Sequence, residues 1–327
     1  MHPTSRRALV CTALALAGLP LGALAQDYPA RAITIVVPFS AGGGVDTMAR
    51  LLADRLRVSL KQSVVVDNKP GASGMLGAGA VAKAPPDGYT LLLGSAGETA
   101  INPLIYKEKM QYVPARDLAP ITAVTRVPNV LVTHPNFPAK SVAELVAHAQ
   151  KNPGKLTYAT SGVGNPQHLN GELLQMLTGI KMQHVPYKGA ANQLVDVAAG
   201  NVDITFVSLA GATPFIKGGR VKALAVTSAR RAGFAPEIPA IAEFAPAAAY
   251  DLDNWFGLFA PAKTPPAVLD KLHAAVTAAL REPELIKRLR EQGGEPMPLS
   301  PAAFRQFMQT ETAKYARIVE AAHIVNE

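Results

Sequence analysis

Cysteine is almost absent: Cys11 is the only one in 327 residues, and it falls inside an apolar N-terminal run. Once that run is removed, neither a cysteine nucleophile nor a disulfide framework is available. An exported chain without disulfides must be held together by its core, and about 300 residues can bury roughly three quarters of their surface. Charge is also sparse: 17% of residues are charged and 6% are aromatic. The net charge is +8, falling to +6 without Arg6 and Arg7, and it is scattered with no basic run. No nucleic-acid partner is therefore expected. No second apolar stretch is long enough to span a membrane.

Catalytic and metal signatures are missing as well. There is no G-x-S-x-G; the run around Ser161 is Ala159-Thr160-Ser161-Gly162-Val163. There is no H-E-x-x-H, and His134, His148, His168, His184, His273 and His323 lack metal-ligand spacing. The segment from Gly71 to Gly77 loosely mimics a dinucleotide loop, but its spacing is wrong and no Walker lysine–hydroxyl pair follows. Small residues there read as close packing of a helix on a sheet. A secreted hydrolase needs a nucleophile and a base within reach, and none is found. No enzyme activity, cofactor or metal is expected.

What is present begins with a leader. Arg6 and Arg7 precede an apolar run from Ala8 to Ala25, broken by Pro20 and Gly22 and closed by Ala23-Leu24-Ala25. This reads as a cleavable signal peptide over residues 1–25, with the mature chain starting at Gln26 in the periplasm. A membrane anchor is the competing reading. Ser5-Arg6-Arg7 matches a twin-arginine signal only in part, so the export route stays open. Cys11 lies too early in the run to be a lipid attachment site.

The mature chain is organised around ITIVVPFSAGGGVDTMAR, Ile33 to Arg50. Ile33 to Val37 reads as a short buried strand, Pro38 ends it, and Ser40 to Gly44 forms a glycine-rich turn into a helix. Free backbone N–H groups at such a helix start suit an anion. Further strands are expected at 63–67, 89–93, 156–160, 184–186, 204–207, 223–226 and 254–260. Their alternation with helices is that of parallel sheets covered by helices. Ile121 to Thr133 reads as a long extended segment carrying the chain between domains, and 254–260 as a strand returning to the first half. The expected plan is therefore α/β, with two domains and two hinge crossings, near Arg126 and near Tyr250. Residues 26–126 plus 250–327 form domain 1, and 127–249 domain 2.

Three strand-to-helix turns, 39–46, 160–166 and 187–192, lie where open α/β sheets bind ligands. They offer N–H donors and the hydroxyls of Ser40, Thr160 and Ser161, which suits a carboxylate. Simple chain geometry explains any one glycine turn, but three in matched positions favour a site. Asp46 reads as a first-turn acid bonding loop N–H groups, or as an exposed helix residue. His168 reads as a structural hydrogen-bonder or a ligand contact, and Lys188 as an anion partner or a solvated lysine. Trp255 and Phe256 read as hinge packing, with an aromatic pocket wall as the alternative.

PFSAGGGVDTMAR, VVVDNKPGASGMLGAGAVAKAPPDGYTLLLG, YATSGVGNPQHLNGELL, HVPYKGAANQLVDVAAGNVD, VKALAVTSARR and NWFGLFAPAKTP resemble the Bug-type periplasmic receptors. These are the substrate-binding subunits of tripartite tricarboxylate transporters, and the resemblance runs from about Tyr28 to the C-terminus. It implies a type II periplasmic-binding-protein fold closing over a small carboxylated solute for delivery to membrane transporter subunits. Carried onto this chain, it places the ligand against Phe39, Ser40, Ala41, Gly42, Gly43, Gly44 and Asp46. Opposite these it sets Thr160, Ser161, Gly162, Asn165 and His168, with Tyr187, Gly189 and Ala190 as a third region and Ser208 as a fourth. Ser95 belongs with the ligand's distal end. Two stretches depart from the family pattern: Ser208 to Ala212 replaces a more polar run, and Gly94 to Glu98 is atypical, with Glu98 adding negative charge if it faces the cleft. The chain is expected to act as a monomer. A ligand-sensing subunit of a signalling system is the alternative function, because it needs the same cleft.

Overall fold

The computed structural model describes residues 28–187 and 190–325. The chain divides into two compact units, Met1–Ala30 and Arg31–Glu327. Of the first, only residues 28–30 are described, and the Tyr28–Pro29 bond is cis. The expected signal peptide lies outside the described residues; everything below concerns the second unit.

Five β-branched residues, four of them apolar, make β1 (Ile33–Val37), whose side chains are nearly all buried. Apolar residues at helical spacing then bury one face of α1 (Gly44–Leu60), including Met48, Leu52 and Leu56. β2 (Val64–Asn68), α2 (Met75–Ala82) and β3 (Thr90–Ser95) follow, and β1 pairs parallel with both β2 and β3. The small residues before and within α2 serve packing: a Cβ on Gly77 would lie 2.7 Å from Pro38 Cα.

The long extended segment is two strands, β4 (Leu118–Val127) and β5 (Asn129–Thr133), and they belong to different sheets. Pro128 alone separates them. The second sheet then grows from α3 (Val142–Lys151), β6 (Leu156–Thr160), α4 (Pro166–Thr178), β7 (Met182–Pro186), α5 (Ala190–Ala199), β8 (Ile204–Ser208), α6 (Leu209–Lys217) and β9 (Lys222–Val226). Its order is β7-β6-β8-β5-β9. β10 (Asn254–Pro261) returns to the first sheet and inserts antiparallel between β3 and β4. Then come α7 (Pro266–Ala279), α8 (Pro283–Glu291), the two-residue β11 (Glu295–Pro296) and α9 (Pro301–Ala321). The first sheet reads β11-β4-β10-β3-β1-β2.

Two lobes result, joined at Pro128 and by residues 227–253. The joints are tied by side chains. Thr227 Oγ1 donates to Asp253 Oδ1 at 3.0 Å and accepts from Asn129 N at 2.9 Å. Tyr250 is fully buried, its hydroxyl donating to the Asn170 carbonyl and Oδ1 at 2.9 and 2.7 Å. Trp255 is likewise buried, edge-on to Phe304 and Phe307 of α9, and its Nε1 donates to Tyr315 Oη at 3.1 Å. Of the two readings offered for Trp255, hinge packing is the one observed.

Candidate functional site

The parallel strands β1, β3, β6, β7 and β8 all send their carboxyl ends into the segments singled out from sequence. The first turn lies open. Residues 40–44 are exposed, and Phe39 is half-buried. No side chain caps α1. Only Gly42 has a left-handed backbone, φ +82°; Gly43 and Gly44 do not. A Cβ on Gly44 would meet nothing within 4 Å, and one on Gly43 would touch only the Ser40 carbonyl at 3.4 Å. The fold therefore does not demand glycine at either position.

Asp46 is buried beneath this turn and points inward. It accepts from Gly42 N at 2.8 Å, Arg50 Nε at 3.0 Å and Asn68 Nδ2 at 3.0 Å. Asn68 Nδ2 also donates to the Phe39 carbonyl at 3.0 Å, clamping both ends of the turn. Burial pushes the Asp46 carboxyl up, but these bonds and the Arg50 charge outweigh it and leave it below its ordinary 3.8. This is the loop-bonding role offered for Asp46 from sequence, not the exposed one.

The second turn differs from the sequence expectation of open N–H donors. Ser161 N donates to Gln167 Oε1 at 2.8 Å, Gly162 N to Thr160 Oγ1 at 3.3 Å, and Gly164 N to His168 Nδ1 at 3.0 Å. Thr160 is fully buried; its hydroxyl donates to the Gly162 carbonyl at 3.0 Å and lies 2.6 Å from His184 Nε2. Ser161 and Asn165 are half-buried, and the Ser161 hydroxyl accepts from Asn165 Nδ2 at 2.8 Å. Asn165 also caps α4, accepting from His168 N at 2.9 Å.

Behind this turn His168 and His184 stack with ring centroids 4.0 Å apart. Accepting at Nδ1 puts the His168 ring proton on Nε2, 3.6 Å from Glu172 Oε1, to which the Tyr158 hydroxyl also donates. Burial, reinforced by His168, pushes the His184 imidazole down from 6.5 to about 4, against a pull from Glu172. His168 is buried and supports the turn, so the structural role offered from sequence is the one observed. Neither His184 nor Glu172 was singled out by spacing; they meet only when β7 and α4 pack across β6.

The segment after β3 joins the two turns. At its start, a Cβ on Gly74 would lie 3.2 Å from Phe39 Cζ, Glu98 Cβ and Glu98 Oε2. At its end, the Tyr106 hydroxyl donates to the Val163 carbonyl at 3.4 Å, and Ile105 abuts Gly164. Glu98 does not face the cleft: it is fully buried, accepting from Ser95 N and, at 2.6 Å, from Ser95 Oγ. Ser95 is buried too. Tyr187 is half-buried, with its hydroxyl on Asp196 Oδ2 at 2.7 Å and its N–H on the Thr160 carbonyl at 2.8 Å. Lys188 and Gly189 lie outside the described residues, and Ala190 is placed only as the start of α5. Ser208 is half-buried at the start of α6 without capping it. Beyond it, a groove of about 670 Å³ separates α6 from α8.

Two α/β lobes with strand-end turns brought together by a shared segment define a two-lobed solute receptor. The chain belongs to the tripartite tricarboxylate transporter receptor family, which it matches over residues 48–324. It is 34% identical over 319 residues to protein BugT of Bordetella pertussis, covering 98% of each chain. R. palustris Rpa4515, solved with adipate, superposes with a TM-score of 0.82 at 39% identity, covering 91% of this chain and 99% of that one. MatC (Rpa3494) from Rhodopseudomonas palustris, solved with bound malate, gives 0.76 at 31% identity, over 89% and 100%. The family is one of solute-binding receptors of a tripartite transporter rather than enzymes, and periplasmic binding proteins are among its solved members.

Proposed function

We propose that this receptor, as a monomer starting near Gln26, binds a small aliphatic dicarboxylate and hands it to its membrane subunits. Residues 26–126 with 250–327 act as one closing body and 127–249 as the other. One carboxylate accepts from the first-turn N–H groups around Gly43 and Gly44 and from the Ser161 and Asn165 side chains opposite. Ser40, Tyr187 and Ser208 line the rest. The observation that carries this reading is the uncapped, exposed start of α1, whose second and third glycines the backbone does not require. Malate and adipate in similar receptors suggest the ligand class.

The test is calorimetry and thermal unfolding against acids from malate to adipate, with their amides as controls. An acid at one hundred times its Kd adds about 2.7 kcal/mol to stability, several degrees in Tm. Amides that stabilise as well as the acids would defeat the carboxylate assignment.

A further inference from the structure

Glu98 follows β3, the parallel neighbour of β1, and its carboxyl and the Phe39 ring at the base of the first turn both border Gly74. Its carboxyl is enclosed by Gly74, Gly94 and Ser95, with the Phe39 ring against Gly74 and Phe259 against Gly94. The elements packed on it bring little charge. Residues 72–82, which meet it at Gly74, carry no charged residue, and neither does the short helix Asn102–Ile105. Tyr112 is the ionisable neighbour, its hydroxyl donating to the Glu98 main-chain carbonyl at 2.7 Å. α9 packs against the same turn, but Glu311 and Lys314 pair with each other at 2.7 Å, and Arg305, Arg317 and Glu320 do not act on Glu98. Among the described residues no cation offsets this carboxylate.

Ser95 Oγ is the hinge of the arrangement. It accepts from Gly97 N at 3.2 Å and lies 2.6 Å from Glu98 Oε2. A hydroxyl has one proton to give. While Glu98 is ionised, that proton is committed to Glu98. When Glu98 takes a proton from solution, its own O–H donates to Ser95 Oγ, and the serine proton is free to point out of the end of β3.

We propose that Glu98 is a positioning residue that couples carboxylate binding to uptake of one proton, through the direction of the Ser95 hydroxyl. This deepens the receptor reading above and rests on it. Two effects act together: the protonated acid removes a buried negative charge close to an incoming anion, and it releases a donor for that anion. Burial pushes the carboxyl up from 4.5 to about 7 against the pull of the Ser95 bonds, so the exchange falls at accessible pH. Binding is therefore tight in mildly acidic surroundings and weakens as the pH rises.

The experiment is calorimetry with malate and adipate, from about pH 6 to pH 8.5, in buffers of contrasting ionisation enthalpy. At the alkaline end the wild-type protein should take up close to one proton per ligand, with affinity falling about tenfold per pH unit. Glu98→Gln, whose amide can donate permanently to Ser95 Oγ, should bind without proton uptake and hold the acid-side affinity throughout. Ser95→Ala should be weak at both ends of the range. Binding with no proton uptake, or a Glu98→Gln variant that keeps the wild-type pH dependence, overturns the coupling while leaving the receptor reading intact. Failure of both acids to bind at any pH overturns the receptor reading and this proposal together. The wild-type arm needs no variant, so a misfolded substitution cannot mask the outcome.

Discussion

The two strand-end turns look alike in sequence and are built in opposite ways. In the first, one buried carboxylate beneath the loop holds its ends, and residues 40–44 remain exposed above an uncapped helix. In the second, Gln167, Thr160 and His168 accept the N–H groups of Ser161, Gly162 and Gly164. The first leaves its backbone exposed; in the second, side chains occupy the N–H groups of Ser161, Gly162 and Gly164. A glycine-rich turn can thus serve two purposes, and the positions where a Cβ is tolerated tell them apart.

That contrast can be broken most severely at Gly43. Gly43→Val should lower dicarboxylate affinity about 100-fold, through loss of charge-assisted bonds worth roughly 1.5–3 kcal/mol. Its stability to urea should stay within about 0.5 kcal/mol of wild type. The second turn should answer the other way. Gly164 has φ +74°, and a Cβ there would lie 2.6 Å from Ile105 Cδ1. Gly164→Ala should cost about 2 kcal/mol in urea unfolding and reduce affinity far less than the Gly43 change. Equal effects of the two substitutions on affinity would erase the distinction.

Asp46→Ala comes next, and should move both readouts by about 1–2 kcal/mol, because it orphans the Gly42 N–H and removes one of the two bonds donated by Asn68 Nδ2. The Asp46 carboxyl titrates lower in the fold than free. Its stabilisation is therefore complete above 3.8 and lost as pH falls through the folded value, so this variant should differ least from wild type in strong acid.

The smallest effect is a pH slope of opposite sign in the two lobes. Glu98, raised to about 7, holds its proton in the fold, so its contribution is full below 4.5 and declines as pH rises toward 7. His184, lowered to about 4, stays neutral in the fold, so its contribution is full above 6.5 and declines as pH falls toward 4. Between about 4.5 and 6.5 the two slopes oppose each other. Glu98→Gln should make stability in that window rise more steeply with pH, and His184→Gln should make it rise less or fall. Unfolding curves at three pH values decide this, and parallel shifts in both variants would refute the opposition.

The strands were legible because they are short, largely apolar or β-branched runs closely followed by proline, glycine or polar turn residues, as in Ile33–Val37 and Leu156–Thr160. The passage from one sheet to the other was legible in the unbroken extended run around Pro128. The turns could be located, but not the occupancy of their donors. Gln167 and His168 reach back onto Ser161 and Gly164 through side-chain rotamers that spacing does not encode. The inward turn of Glu98 was hidden for a related reason. Its enclosure depends on Gly74, Phe39 and the arrival of Phe259 beside Gly94, none of which is local. His184 and His168 likewise meet only through the packing of a whole βα unit.

The place of β10 has a consequence for how the molecule assembles. Every strand of the second sheet comes from one continuous stretch, residues 129–226. The first sheet has at its centre a strand that the chain supplies only at residues 254–261, long after β3 and β4 have been made. Until that strand is available, β3 and β4 each lack a neighbour, and joining them closes a loop longer than the whole second lobe. The later lobe in sequence can thus complete its sheet without the strand that the half carrying the open glycine turn must wait for.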